Sequence, residues 1–142
     1  MTYIDTSAFL HWFRGDVHSE NVKTCLAGET SVLISPITLL EIRVQIRSLG
    51  LGGKLRPNQV EKLERQLSSI WEMEPFELVE LSARLFETAI KQHKKTNVHC
   101  RSLDRLHLAA MEELRARRLI TYDTRQAEAA RELGIEVVMP GM

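Results

Sequence analysis

The residues of this chain best suited to chemistry are carboxylates that follow short apolar runs and sit beside small hydroxyl groups. Tyr3-Ile4 leads into Asp5, Thr6 and Ser7, and Leu119-Ile120-Thr121-Tyr122 leads into Asp123. Compact apolar runs with β-branched and aromatic members read as buried strands. Both acids then stand at the carboxyl ends of strands, where open α/β sheets gather their ligands. Two more acids fall early on expected helices: Glu41, between Leu40 and Ile42 after Pro36, and Asp104, after Ser102-Leu103. Taken singly, each has a plain reading. Asp is a common helix cap, and the start of a helix favours negative charge. Their recurrence changes the balance. Carboxylates converging on one end of a sheet repel one another unless a cation lies between them or they share protons. An all-oxygen set suits a hard divalent cation, Mg²⁺ with Mn²⁺ as the alternative. The chemistry that follows is phosphodiester hydrolysis, in which metal activates water and offsets the charge growing on the transferred phosphate. His107 lies one turn beyond Asp104 and could share its face. The expectation for His107 is a packed, hydrogen-bonded side chain rather than a ligand.

The elements that must position these acids follow from periodicity. His18 to Leu26 reads as a helix stopped by Gly28, and Ser31 to Ser35 as a strand. Pro36 opens a helix carrying Ile37, Leu40, Ile42, Val44 and Ile46. The loop from Gly50 to Asn58 has glycines without the spacing of a phosphate-binding loop. Val60, Leu63, Leu67, Ile70 and Trp71 form one helix face, and Pro75 to Leu81 a third strand near a sheet edge. From Ser82 to His93 the pattern predicts a helix with Leu85, Phe86, Ala89 and Ile90 inward. Leu103, Leu106, Ala110 and Met111 mark the helix after Ser102, Gly134 stops the helix after Asp123, and Ile135 to Met139 is a last strand. The series predicts one α/β domain over residues 1–142, with a mostly parallel central sheet between two helical layers.

Composition narrows the classes. The chain has 142 residues, 44% of them hydrophobic, and a formal net charge of zero. No overall field draws it to nucleic acid, which leaves a local basic rim for that task. Lys94, Lys95, Arg101 and Arg105 are the candidate phosphate contacts. Cys25 and Cys100 are too few and too far apart for a disulfide framework or a zinc site, and fit a reducing cytoplasm. The sequence shows no signal-peptide pattern and no apolar run long enough for a bilayer, so no membrane role is expected.

The motifs taken together resemble a known family. Asp5-Thr6-Ser7, Glu41, the run Ser102-Leu103-Asp104-Arg105-Leu106-His107-Leu108-Ala109 and Thr121-Tyr122-Asp123 resemble the PIN-domain ribonucleases, and among them the VapC-type toxins of toxin–antitoxin systems. The resemblance spans essentially the whole chain. It implies a PIN-like three-layer α/β/α fold and a Mg²⁺-binding set of Asp5, Glu41, Asp104 and Asp123. It implies Thr121 as a hydroxyl beside the metal, with Thr6 or Ser7 supporting the first Asp. It also implies an RNA substrate, a homodimer and a VapB-type antitoxin that covers the site. Apolar helix faces at Val60–Trp71 and near Leu39–Ile46 are the candidates for the dimer. Two other readings compete. A phosphoryl-accepting receiver domain needs a mid-chain Asp and a late-strand Lys, which Leu33-Ile34-Ser35 and Ile135 to Met139 do not supply. A PIN-like module that binds protein or RNA without catalysis would not need the full acid set.

Overall fold

In the computed structural model every strand is three residues long, so side-chain alternation decides which layer each residue enters. The structure describes residues 1–142, the side chain of Trp71 excepted. The strands are β1 (Thr2–Ile4), β2 (Val32–Ile34), β3 (Phe76–Leu78), β4 (Arg118–Ile120) and β5 (Glu136–Val138). They form one sheet in the order β3-β2-β1-β4-β5, and all pairs are parallel. Ile4, Val32, Ile34 and Ile120 enter one core with α1 (Thr6–Arg14), α2 (Ser19–Leu26), α3 (Pro36–Leu51) and α4 (Pro57–Leu67). Tyr3, Leu33 and Leu119 enter the other with α5 (Leu85–Lys95), α6 (Ser102–Leu114) and α7 (Thr124–Glu132). Both sides of the sheet are therefore covered, as parallel sheets require. The α/β/α layering agrees with the expectation, and the sheet is parallel throughout.

The strand order explains where a site can form. From β1 the chain proceeds outward through β2 to β3, then crosses back to place β4 on the other side of β1. The order reverses between β1 and β4, which opens a crevice beyond their carboxyl ends. Asp5 follows β1 directly, and Thr121 to Asp123 follow β4.

Some expected faces differ. The helix placed at Ser82 begins at Leu85, and its inward stripe is Leu85, Ala89 and Gln92. Phe86 and Ile90 are 63% and 55% exposed rather than inward. Starting the helix one turn later leaves Ser82 and Arg84 to the loop, where the Ser82 hydroxyl accepts from the Arg84 N–H. On α3, Ile37, Ile42 and Ile46 are buried but Leu40 and Val44 face out. Leu67 and Ile70 are buried, and Val60 and Leu63 are half-buried against the same core. Trp71, expected on the same face, has its side chain outside the described residues.

Candidate active site

Asp5 is the most enclosed acid, 4% exposed, and caps α1 from the end of β1. Its Oδ1 accepts from Ser7 Oγ at 2.7 Å and from the Ala8 N–H at 3.2 Å, and its Oδ2 accepts from the Thr121 hydroxyl. Ser7 Oγ also accepts from the Tyr122 N–H at 2.9 Å. Ser7 and Thr121 thus join the ends of β1 and β4 around one carboxylate. All its direct donors are neutral, and among the described residues it has no salt-bridge partner. Burial pushes the Asp5 carboxyl above its ordinary pKa, although the hydrogen bonds from Thr121 and Ser7 pull the other way.

Glu41 arrives from α3. Its Oε1 accepts from Thr6 Oγ1 at 2.7 Å and lies 2.6 Å from His107 Nε2. Burial alone would raise this carboxyl, but the bonds from His107 and Thr6 outweigh it and hold the pKa low. His107 is buried and packed, as expected: its Nδ1 is 2.6 Å from Tyr3 Oη, which is 2.8 Å from Ser35 Oγ.

The remaining acids form a second group. Asp104 lies in the first turn of α6, with Arg101 Nε 3.1 Å from its Oδ2. Asp123 caps α7, its Oδ1 accepting from the N–H groups of Arg125 at 2.9 Å and Gln126 at 3.1 Å. Asp104 and Asp123 share an open cavity of about 240 Å³ with His99, Cys100, Arg101 and Arg125. The Arg101 guanidinium is held charged by its hydrogen bond to Asp104, and feels Asp123 and Glu41 as well. It therefore lies where the fields of three of the acids overlap.

The four predicted acids do not close into a cage. Among the described residues, no three His, Cys, Asp or Glu side chains stand ready to hold a metal ion together. They do present oxygens: no hydrogen bond reaches Glu41 Oε2, Asp104 Oδ1 or Asp123 Oδ2 among the described residues. A buried acid with neutral donors and further carboxylates with unused oxygens fit a hard cation that keeps part of its water shell.

The basic candidates separate. Arg101 is exposed at the acids. Arg105 is 6% exposed and turned inward, its guanidinium 3.0 Å from Thr96 Oγ1 and 3.5 Å from Gln92 Oε1. It ties α5 to α6 and is withdrawn as a phosphate contact. Lys95 is also withdrawn from the acids. It lines a cavity with Arg115, Arg117 and Gly134, which flank the amino ends of β4 and β5, opposite the acids. Lys94 is exposed at the end of α5. The polar residues that sequence reading missed are Tyr3 and Ser35. Ser35 follows β2 much as Asp5 follows β1, a usable signal, whereas nothing marks Tyr3 as more than strand core.

The geometry makes a prediction for Asp5→Asn without metal. Because the folded-state pKa of Asp5 is raised, its own contribution to stability is greatest below the ordinary carboxylate pKa and falls as pH rises through the folded value. At neutral pH the Asn protein should match or exceed wild type by roughly 1 kcal/mol. The difference should vanish as pH falls into the ordinary carboxylate range. Urea melts in EDTA across that range measure it, and a clear loss of stability in the Asn protein at neutral pH contradicts it.

Comparison with known proteins places this geometry. The sequence model of the PIN domain matches residues 2–132. Ribonuclease VapC35 of Mycobacterium tuberculosis is 30% identical over 148 aligned positions, covering 99% of this chain and 98% of that protein. Among solved structures, FitAcB of Neisseria gonorrhoeae superposes with a TM-score of 0.72 at 20% identity, covering 99% of this chain and 98% of that one. M. tuberculosis VapC20, a Sarcin-Ricin loop cleaving toxin, gives 0.68 at 18% identity, covering 91% and 95%. VapBC2 of Rickettsia felis, bound to a DNA fragment from its promoter, gives 0.68 at 16%, covering 97% and 98%. With the acids at the switch point and these matches along its length, the chain belongs to the PIN-domain family, in the branch that holds the VapC ribonucleases.

Proposed function

We propose that this protein is a divalent-metal-dependent endoribonuclease and the toxin of a VapBC-type module. The observation that carries the reading is Asp5: a carboxylate buried at the switch point, held only by neutral donors, with Glu41, Asp104 and Asp123 at the same end of the sheet. RNA as substrate is supported by the relative named as a ribonuclease. Asp5, Glu41, Asp104 and Asp123 would hold Mg²⁺ or Mn²⁺. A bound metal would supply an activated water and offset charge on the phosphate. The chain's own contribution is orientation. Thr121 and Ser7 fix both oxygens of Asp5, Thr6 fixes Oε1 of Glu41, and the exposed Arg101 is placed to meet a substrate phosphate.

In a cleavage assay with RNA, wild type should act with Mg²⁺ or Mn²⁺ and be silent in EDTA. Asp5→Asn and Asp123→Asn should each lower the rate by about a hundredfold or more, as expected when several kcal/mol of transition-state stabilisation is lost. RNA binding without metal-dependent cleavage in the wild type would instead favour a non-catalytic binding module.

The partners are proposed on the exposed apolar surface. Leu40 and Val44, 59% and 60% exposed on α3, are the part of the expected dimer surface that the fold leaves outside, and a two-fold dimer would cover them. Light scattering should show a dimer for wild type and a monomer for Leu40→Glu/Val44→Glu. A wild-type monomer at high concentration refutes the dimer. A VapB-type antitoxin is supported by the toxin–antitoxin complexes among the structural neighbours. The protein encoded beside this gene, co-expressed with the toxin, should copurify with it and suppress cleavage.

A further inference from the structure

Behind Glu41 lies a chain of buried polar groups that the acid set alone does not require. Tyr3, Ser35 and His107 are buried, and His107 is followed on α6 by Leu108, Ala109, Ala110 and Met111, all fully buried. Polar groups in such a layer are unfavourable unless each is satisfied. Here each is: Ser35 Oγ lies 2.8 Å from Tyr3 Oη, Tyr3 Oη 2.6 Å from His107 Nδ1, and His107 Nε2 2.6 Å from Glu41 Oε1. The chain runs from the end of β2 through β1 and α6 and ends on one oxygen of an acid on α3. A glutamate side chain has several rotatable bonds and points reliably only when something holds it. An ionised carboxylate only accepts, so the Nε2 facing it carries a proton. The Tyr3 hydroxyl on the opposite nitrogen fixes the turn of the ring.

We propose that His107 and Tyr3 are positioning residues for Glu41: Tyr3 orients the imidazole, and the imidazole, with Thr6, pins Oε1 so that Oε2 faces the pocket and a divalent cation. The inference rests on Glu41 being a metal ligand, as read above. His107 does not touch the metal. It acts as the partner that sets a ligand's direction, a role whose loss typically weakens metal binding about 10- to 100-fold.

The test is Mn²⁺ affinity of the full chain by titration calorimetry, without RNA. Wild type should bind. Glu41→Gln and His107→Leu should each weaken binding about 10-fold or more, and Tyr3→Phe, which keeps the ring and removes the hydroxyl, should weaken it severalfold. His107→Gln can place an amide N–H near the position of Nε2 and should recover most of the affinity, a rescue that a merely space-filling role for His107 does not give. Wild-type affinity in folded His107→Leu overturns the inference. If His107→Leu does not fold, wild-type affinity in Tyr3→Phe overturns it instead. A wild-type protein that binds no Mn²⁺ removes the metal reading and the inference together. Equal binding by wild type and Glu41→Gln, with binding lost in Asp5→Asn, removes the inference and leaves the site centred on Asp5.

Discussion

A carboxylate buried with no salt-bridge partner is an unfavourable thing for a small domain to keep, and much of this structure is arranged around one. Asp5 is enclosed between the ends of β1 and β4, where only hydroxyl and backbone donors reach it. Such donors ease the ionised form but do not replace the water it has lost, so the carboxyl is pushed above its ordinary pKa. A divalent cation at the same place would reverse the balance, since the buried charge would then face an opposite one.

The fold supplies that arrangement with little material. Strands of three residues are enough because both faces are covered and the alternation is unbroken: Ile4 and Ile120 go to one core, Tyr3 and Leu119 to the other. The reversal of strand order beside β1 places the ends of β1 and β4 together, and α1 and α7 begin there with Asp5 and Asp123 as their caps. One residue type therefore serves two ends. As caps these acids satisfy helix N–H groups, and in doing so they are held at the crevice with their direction set. The helix-cap reading and the active-site reading of Asp5 describe the same hydrogen bonds.

The layering, the strands and the acids at strand ends were legible because they rest on local signals: apolar runs ending in Asp, Pro36 at a helix start and glycines after helices. The family resemblance added the acids' assignment as one Mg²⁺-binding set. What was not legible depends on tertiary contact. Phe86 and Ile90 lie beside Leu85 and Ala89 on a wide apolar face, but the helix turns only the narrower stripe of Leu85, Ala89 and Gln92 toward the core, and that choice is made by packing between elements. Arg105 looks like a surface cation in sequence, but Thr96 and Gln92 on its neighbouring segment give its guanidinium a buried seat. Lys95 sits in a basic run that says nothing of which end of the sheet it flanks. His107 meets Tyr3 of β1 and Glu41 of α3, and Tyr3 in turn meets Ser35 at the end of β2, separations that no local pattern reports.

The central claim is that the acids at this switch point hold a divalent cation. Anomalous diffraction from crystals soaked in Mn²⁺ tests it most directly. The account predicts a manganese peak within coordination distance of the Asp5 carboxylate, with at least one of Glu41, Asp104 and Asp123 as a further ligand or joined through bound water. A saturating soak that leaves the crevice between the ends of β1 and β4 without a manganese peak, while Asp5 keeps its bonds to Ser7 and Thr121, would contradict it.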